Sequence, residues 1–393
     1  MARARELVLD HVRPLPSEPV EIEAALHRVL AADVRANGDV PPFSCSAMDG
    51  YAVVAGEARR RLAVVGESRA GAPARRTLRD GEAIRISTGA AVPSGATAVV
   101  AQEQVELRDS GIETVAAVLP GQHVREPGDD IRSGTTVLQA GTRLGAVELG
   151  AATAAGAAVL SAAQMPRVSV LCTGDELRAP GAPLRLGEIH NSNAPMLTGL
   201  AQGGGGLAAP AQRLPDEPAA SEAGIADALR DADVVIISGG VSVGPHDHVK
   251  PALSRLGVDE VFWGVALQPG KPTWFGTREG KLVFGLPGNP VSAVVTFSLF
   301  VAPALAALQG ERPVRRLEAE AVLGVDVKRD PRREQALRVR LQRGGGLPVA
   351  TPRGAQGSHI LTSLLGADAL AMVAPGEGTL AAGATVSLEQ LAR

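Results

Sequence analysis

The hydrophobic positions near the start of the chain recur at the spacing of an α-helix. This pattern runs from Glu18 to Asn37 and predicts an amphipathic helix that ends at Gly38. Its apolar members are Ile22, Ala25, Leu26, Val29 and Leu30. Beyond this point the pattern changes to short apolar runs separated by glycine, proline and charged residues, which predicts a β-rich domain over residues 38–134.

The segment 135–166 returns to a compact pattern rich in alanine and glycine, which predicts helix. We therefore expect residues 1–37 and 135–166 to form one helical domain in two segments. The β-rich domain of residues 38–134 would be inserted between these two segments.

Continuous apolar runs alternate with helical segments from Arg167 onward. Strands that are apolar at every position are typical of a parallel sheet covered on both faces, so residues 167–312 predict a doubly wound α/β domain. Short strand-like runs over residues 313–393 predict a separate C-terminal all-β domain. The expected fold class is therefore a multidomain α/β protein, with a doubly wound α/β domain, a helical domain that carries a β-rich insertion, and the C-terminal all-β domain.

One stretch, Leu282 to Gln309, contains no charged residue, and a membrane-spanning helix needs about 20 predominantly apolar residues. The stretch is interrupted by Pro287, Gly288, Asn289, Pro290 and Pro303. We interpret it as a buried strand, a tight loop and a buried helix, and we expect no membrane association.

Composition narrows the possible functions. A net charge of -3 and an aromatic content of 2% argue against nucleic-acid binding, which uses a basic footprint or stacking platforms. The two cysteines, Cys45 and Cys172, are too few and too far apart for a disulfide framework or a zinc site. The N-terminal segment carries charges throughout and lacks the apolar core of a signal peptide, so a cytoplasmic protein is expected.

Three polar, glycine-rich loops follow predicted strands of the α/β domain, at Thr173–Glu176, Ser238–Gly244 and Leu286–Pro290. Ligands of open parallel sheets bind beyond the carboxyl ends of the strands, and glycines let the backbone approach a ligand closely. We interpret the second loop as a phosphate site, although its spacing is neither that of a P-loop nor that of a dinucleotide fold. The alternative is that these loops are turns that simply require glycine.

Three carboxylates, Asp175, Glu176 and Asp247, are expected at the same edge of the sheet. Carboxylates beside a phosphate site commonly hold Mg²⁺, which prefers oxygen ligands. The alternative is that Asp175 and Glu176 cap the following segment. A fourth polar cluster, Ser44 to Tyr51 in the inserted domain, suggests a functional loop, but a turn has a similar composition.

Seven motifs of the chain together resemble those of the molybdopterin molybdenumtransferase family, which includes MoeA and the E domain of gephyrin. They are SAMDGYAV (46–53), RISTGAAVP (85–93), GDDI (128–131), TGDEL (173–177), SGGVSVGPHD (238–247), PGKP (269–272) and GLPGNPVS (285–292). The C-terminal stretch GSHILTSLLGADALAMVAP is similar to the last domain of that family. The resemblance covers essentially the whole chain and implies the domain layout given above, a molybdopterin-binding type of α/β domain and a homodimer.

The resemblance also implies a reaction, in which molybdate is inserted into adenylylated molybdopterin and AMP is released with the help of Mg²⁺ or a similar divalent ion. The implied catalytic residues are Asp49, Asp130, Glu176 and Asp247, of which Glu176 and Asp247 would also hold the metal. The implied substrate-binding residues are Thr88, Arg125, Thr173, Gly174, Ser238, Gly239, Gly240, Ser242, Lys271, Pro287 and Pro290. The implied molybdate pocket consists of Pro269, Ser292, Arg338 and Ser358.

The chain departs from the family pattern at Gly264 and Gln268, where many relatives carry lysines that would attract an oxyanion. The α/β domain alone is similar to the molybdopterin adenylyltransferases, which leaves an adenylyltransferase activity, or a diverged paralogue acting as a binding protein, as alternatives. The expected partners are the two substrates, a second copy of the chain, the adenylyltransferase and the recipient molybdoenzymes.

Overall fold

The computed structural model describes residues 1–109, 111–241, 248–312 and 320–392. Seven α-helices lie in this part of the chain: α1 (Ala2–Asp10), α2 (Ala146–Ala154), α3 (Asn193–Gly203), α4 (Pro218–Asp231), α5 (Val249–Arg255), α6 (Pro290–Thr296) and α7 (Ala302–Leu308). A π-helical segment, Phe297–Val301, joins α6 to α7 in one continuous helix. Short 3-10 turns occur at Ile22–Ala24, Gln102–Gln104 and Leu361–Leu364.

The N-terminal part of the chain is mostly strand. Its strands are β1 (Ser17–Glu21), β2 (Val34–Arg35), β3 (Cys45–Ser46), β4 (Gly50–Val53), β5 (Arg61–Ser68), β6 (Glu82–Ile86), β7 (Ala98–Ala101), β8 (Val105–Arg108), β9 (Gly111–Thr114), β10 (Val124–Arg125), β11 (Thr136–Leu138) and β12 (Val159–Ala163). β1 pairs with β12 and β2 pairs with β11, both antiparallel. These pairings bring the two segments on either side of the insertion together.

The predicted amphipathic helix over Glu18 to Asn37 is wrong, because this segment forms β1, a 3-10 turn and β2 instead. The two-part domain is therefore mainly β, with α2 as the helix of its second segment. His27 adopts a φ of 66°, which is incompatible with a continuing right-handed helix. The apolar side chains that suggested a helix, including Ala25 and Leu30, instead pack against Leu144 and Leu160 of the second segment.

The β-rich insertion is confirmed. Its main sheet has six strands in the order β7-β4-β6-β5-β9-β8, and β3 pairs separately with β10. Alternate residues along β4 enter different apolar clusters, with Val53 on one face of the sheet and Ala52 on the other. This alternation is the period of two that a strand imposes on its side chains.

The α/β domain contains ten strands in the described residues: β13 (Arg167–Thr173), β14 (Leu177–Arg178), β15 (Ile189–His190), β16 (Leu207–Ala208), β17 (Gln212–Leu214), β18 (Val234–Ser238), β19 (Asp259–Trp263), β20 (Leu267–Gln268), β21 (Trp274–Arg278) and β22 (Lys281–Leu286). The sheet order is β16-β13-β18-β22-β21-β19, and β17 also pairs with β13. Val234 and Ile236 of β18 face one apolar cluster, whereas Val235 and Ile237 face another. Both faces of the sheet are therefore covered, as predicted.

The sheet is not parallel throughout. β21 runs antiparallel to both β22 and β19, so this edge of the sheet is mixed. The cause is a tight hairpin between β21 and β22, in which Glu279 and Gly280 have φ values of 51° and 80°. Two successive residues with positive φ are the signature of a two-residue hairpin turn.

The C-terminal domain has strands β23 (Glu320–Leu323), β24 (Val327–Lys328), β25 (Glu334–Gln342), β26 (Val349–Pro352), β27 (Ala369–Val373), β28 (Thr379–Leu380) and β29 (Thr385–Gln390). The ladder β25-β26-β23-β29-β27 returns to β25 and so closes into a barrel. β20 of the α/β domain adds to β25 as a parallel strand. This pairing holds the barrel next to the carboxyl edge of the α/β sheet.

One helix in the described part of the chain, Pro290–Leu308, is long and apolar enough to cross a membrane by length and composition alone, with a mean hydropathy of 2.2. However, 78% of its most apolar stretch is buried inside the protein. Phe297, Leu299 and Phe300 pack in the same apolar cluster as strands β13, β18 and β22. The stretch is a buried strand, a loop and a core helix, in agreement with the interpretation from sequence.

Candidate active site

Three loops meet at the carboxyl edge of the α/β sheet and enclose a cavity of about 430 Å³. They follow β13, β18 and β22, which are neighbouring parallel strands and therefore end at the same edge. Predicted site residues on the cavity wall are Thr173, Glu176, Ser238, Gly239, Gly240, Pro287 and Pro290. The structure thus brings the three loops together, and the roles of these residues remain predictions.

The second loop requires glycine at two successive positions. Gly239 and Gly240 have φ values of 92° and 65°, in the left-handed region that favours glycine. A Cβ atom at Gly239 would lie 2.6 Å from Oγ1 of Thr173, and one at Gly240 would lie 2.6 Å from Cγ2 of Val249. The amide of Gly239 donates to the carbonyl of Leu286, so an anion in this loop must be held by other amides.

The first loop separates the roles of its two carboxylates. Glu176 lines the cavity, and its carboxylate lies so close to Gly174 that a Cβ atom there would be 2.4 Å away. Asp175 instead exchanges hydrogen bonds with Asp216, at 3.1 Å and 3.4 Å, and lies 3.5 Å from Arg213. Asp175 therefore fastens the loop to its neighbour, whereas Glu176 is the carboxylate available to a ligand.

Of the predicted metal pair, Glu176 is described, whereas Asp247 lies outside the described residues, as does Ser242 of the predicted substrate-binding set. Within the described residues, no group of three or more His, Cys, Asp or Glu side chains could hold a metal ion. The described cavity wall also carries no lysine or arginine. Apart from His190, the described wall offers a phosphate no side chain that can become cationic, so a divalent ion shared between Glu176 and a phosphate fits the donors that are present.

Asn193, at the first position of α3, is a cavity residue that the sequence analysis missed. Its Nδ2 donates to Oγ of Ser238 at 2.8 Å and to the carbonyl oxygen of Gly288 at 2.7 Å. It therefore links the second and third loops. Nearby, Oδ1 of Asn191 accepts from the amide of Ala194 in the first turn of α3, at 3.0 Å.

Cys172 also lines the cavity, and burial raises the pKa of its thiol to about 11. The thiol therefore stays protonated at neutral pH. A protonated, buried thiol is a poor nucleophile and a poor metal ligand, so Cys172 contributes packing rather than chemistry.

Arg338, predicted for the molybdate pocket, is fully buried and pairs with no carboxylate in the described part of the chain. Its Nε donates to Oγ of Ser363 at 3.2 Å and its Nη2 to the carbonyl oxygen of Gly357 at 3.3 Å. Its Nη1 is buried and has no hydrogen-bond partner in the part of the chain that the structure describes. Burial lowers the pKa of Arg338 to about 10, because a charged guanidinium is costly away from water.

The other members of the predicted pocket lie along the junction between the barrel and the α/β domain. Ser358 contacts the third loop, since its Oγ accepts from Nδ2 of Asn289 at 3.0 Å and its carbonyl accepts from the amide of Val291 at 3.2 Å. Ser292 is buried at the start of α6. Pro269 follows β20, which pairs with β25, the strand that carries Arg338.

The positions that lack lysine differ in their backbone. Gly264 has a φ of 84°, a conformation that a lysine adopts only with strain. Gln268 is exposed and pairs with Gln335 at the start of β25. Lys271, predicted to bind substrate, is exposed, and its carbonyl accepts from the amide of Val265 at 2.9 Å.

A second polar cluster lies in the insertion. Oδ1 of Asp49 accepts from the amide of Thr88 at 2.7 Å and from its hydroxyl at 3.1 Å. Arg125 lies on β10 beside Cys45 of β3, the strand that leads into the Asp49 loop. The amide of Asp130 donates to the carbonyl of Val40, and its side chain is exposed.

The cluster on the insertion and the cluster around the cavity share no hydrogen bond or ion pair in the described residues. No hydrogen bond or ion pair among the described residues connects the loop of Asp49 and Thr88 with the loops around Glu176 and Ser238. The predicted site residues therefore form two groups, one on the insertion and one on the α/β domain with the barrel. Their union in one active site stays a prediction.

Comparison with family models accounts for nearly the whole chain. Residues 1–156 match the MoeA N-terminal region, residues 169–307 match a probable molybdopterin binding domain, and residues 320–391 match the MoeA C-terminal region. The three matches follow one another in the order of the domains described above.

Individual relatives agree with these models. The chain is 35% identical to the molybdopterin molybdenumtransferase of Haemophilus influenzae, over 98% of this chain and 97% of the relative. It is 34% identical to that of Bacillus subtilis, over 95% of this chain and 89% of the relative. The structure is similar to that of the molybdopterin biosynthesis MoeA protein of Pyrococcus horikoshii, with a TM-score of 0.82, 30% identity and coverage of 99% and 98% of the two chains.

Proposed function

Because this chain belongs to the molybdopterin molybdenumtransferase family, and is therefore a transferase of molybdenum cofactor biosynthesis, we propose that it inserts molybdate into adenylylated molybdopterin with release of AMP. The adenylyltransferase alternative is not favoured, since the similarity to the molybdenumtransferases extends over 98% of the chain and includes the domains on both sides of the α/β domain.

The observation that carries the proposal is the uncompensated charge of Arg338. A fully buried guanidinium without a carboxylate partner in the described residues is unfavourable until an anion joins it. Its orphaned Nη1 supplies a donor for that anion. The loop of Gly357 and Ser358, which contacts both Arg338 and Asn289, connects this position with the third loop of the cavity. An oxyanion at Arg338 would thus lie at the barrel side of the bound substrate.

We further propose that the cavity holds the phosphates of the substrate together with Mg²⁺ or a similar ion. Glu176 would bind that ion from the described part of the cavity wall, and Asp247 is expected to supply the second carboxylate. The ion would neutralise the phosphate oxygens and polarise the bond to the leaving AMP. Support comes from the described cavity wall, which carries no lysine or arginine and offers only His190 as a side chain that can become cationic.

The separation of the two residue clusters supports a homodimer as the active form. The insertion of one subunit would bring Asp49 and Thr88 to the cavity of the other subunit. In that arrangement Asp49, already oriented by two hydrogen bonds from Thr88, would complete the set of carboxylates around the phosphates. A cytoplasmic location, and contacts with the adenylyltransferase and the recipient molybdoenzymes, remain expectations.

The test is a reaction of the purified protein with adenylylated molybdopterin, Mg²⁺ and molybdate, followed by chromatography of the nucleotides. We expect AMP release that depends on molybdate and on the divalent ion. Consumption of ATP with unmodified molybdopterin, and no AMP release from the adenylylated form, would instead establish the adenylyltransferase activity.

A further inference from the structure

Asn193 occupies the point where the walls of the cavity meet. Its side chain is 8% exposed and lies on the cavity wall between the second and third loops. Both hydrogens of its amide are used, one by Oγ of Ser238 and the other by the carbonyl oxygen of Gly288. The side chain is therefore held in one place by two short hydrogen bonds.

The orientation of this amide is fixed by chemistry. The carbonyl of Gly288 can only accept, so the atom 2.7 Å from it must be the amide nitrogen. The opposite orientation would place two carbonyl oxygens against each other. Oδ1 of Asn193 consequently points away from Gly288, is buried, and has no hydrogen-bond donor among the described residues.

A buried acceptor without a donor is unfavourable, and such atoms in native proteins commonly mark a site where a ligand or water supplies the partner. A phosphate oxygen cannot do so, because it too is an acceptor. Because Asn193 lines the cavity, a ligand bound there that carries an N–H donor could supply the partner of Oδ1.

We propose that Oδ1 of Asn193 accepts a hydrogen bond from an exocyclic amino group of a heteroaromatic ring and so makes Asn193 a specificity-determining residue of this cavity. The inference rests on the proposed function, whose substrate offers that group on two rings, the pterin and the adenine. A ring with a carbonyl oxygen at the same position would set two acceptors against each other and bind more weakly.

The experiment compares two pairs of probes that differ at this one group. 6-Hydroxymethylpterin is compared with 6-hydroxymethyllumazine, and AMP with inosine monophosphate, by titration calorimetry on the full-length protein. For one of the pairs we expect the amino compound to bind about tenfold more tightly, which corresponds to about 1.4 kcal/mol. The pair that shows the preference identifies the ring that Asn193 contacts.

Asn193→Ala should abolish that preference, with both members of the pair then binding about equally. Thr198→Val is the matched control, because Thr198 lies on the same helix and its buried hydroxyl also lacks a partner among the described residues, but it is not on the described cavity wall. It should leave the preference unchanged. If Asn193→Ala does not fold, Asn193→Leu is used in its place as the apolar variant. The comparison of the probe pairs on the wild-type protein tests the proposal in either case.

The proposal is overturned if the wild-type protein binds none of the probes or binds both members of each pair equally, since the partner of Oδ1 is then a water. It is also overturned if the preference survives in the folded Asn193 variants. AMP release from adenylylated molybdopterin is measured separately on the same preparations. Release without amino-group selectivity refutes this inference alone, whereas selectivity without release refutes the proposed reaction.

Discussion

Replacing Arg338 by methionine should abolish the response to molybdate without lowering the free energy of unfolding. Arg338 is 0% exposed, and burial lowers the pKa of its guanidinium from its ordinary value to about 10. At about 1.4 kcal/mol per pH unit, this lowering corresponds to about 3 kcal/mol of unfavourable free energy for the charged form in the folded protein. Methionine is shorter but has a similar volume, and it removes the charge.

The hydrogen bonds that Arg338→Met loses are long. They are the bonds from Nε to Ser363 at 3.2 Å and from Nη2 to the carbonyls of Gly357 and Ala355 at 3.3 Å and 3.5 Å. Bonds of this length are weak, with each contributing less than about 1 kcal/mol to the net stability. The free energy lost with these hydrogen bonds should therefore be about equal to the free energy gained by removing the buried charge. We expect a free energy of unfolding equal to that of the wild type or up to about 2 kcal/mol higher.

The pH dependence has a definite sign. Because the pKa of Arg338 is lower in the folded state than in the unfolded chain, its penalty is present in full below pH of about 10 and is relieved as the pH rises above that value. Any stability advantage of Arg338→Met should therefore shrink in alkaline buffer. Arg340→Met is the control, because Arg340 is an exposed arginine on the same strand. Its loss should change neither the free energy of unfolding nor the pH dependence of that free energy.

The assay combines chemical unfolding with a thermal-shift titration of molybdate. Wild-type protein should gain up to about 2.7 kcal/mol of apparent stability when molybdate reaches a hundred times its dissociation constant. Arg338→Met should show no such gain and no molybdate-dependent AMP release. If the variant is destabilised by more than about 2 kcal/mol and still responds to molybdate, Arg338 is a structural hydrogen-bond donor and the oxyanion assignment is wrong.

Three further outcomes are expected. Asp49→Ala should abolish AMP release while the unfolding midpoint changes little, because Asp49 is exposed; a large loss of stability with full activity per folded molecule would make it a turn residue only. Gln268→Lys should lower the molybdate concentration for half-maximal AMP release about tenfold, and by more at low salt; an unchanged concentration would contradict the predicted molybdate pocket. Gly264→Lys should instead destabilise the protein, because Gly264 has a φ of 84°. Mixed Asp49→Ala and Glu176→Ala subunits should recover about a quarter to a half of the activity after exchange, and no recovery would place each site within one chain.

The α/β domain could be predicted from sequence because its local pattern and its tertiary environment agree. The apolar runs at 167–173, 234–238 and 281–286 are β13, β18 and β22, and each is buried on both faces. The three loops at their ends met as expected, because parallel neighbouring strands must end at one edge. The mixed edge was not foreseen, since the hairpin at Glu279 and Gly280 depends on backbone angles that composition does not specify.

The segment from Glu18 to Asn37 shows how tertiary structure overrides a local pattern. The same apolar residues can satisfy a helix in isolation or strands with a distant partner, and only the pairing of β1 with β12, about 140 residues away, decides between them. Asn193 and Ser363 were missed for a related reason. Their short polar side chains resemble caps and turns in sequence, and their significance lies in which buried groups the fold brings beside them.

The sequence by itself determined the domain types, the glycine-rich loops and the residue types available for binding anions and metal ions, because these depend on local composition and period. Only the tertiary structure decided which polar atoms are left without partners. Oδ1 of Asn193 and Nη1 of Arg338 are both orphaned, because chain segments far apart in sequence enclose them and use up their neighbours. Burial and hydrogen-bond partners are properties of a three-dimensional neighbourhood. No pattern along the chain could therefore have indicated that Asn193 needs a hydrogen-bond donor or that Arg338 needs an oxyanion.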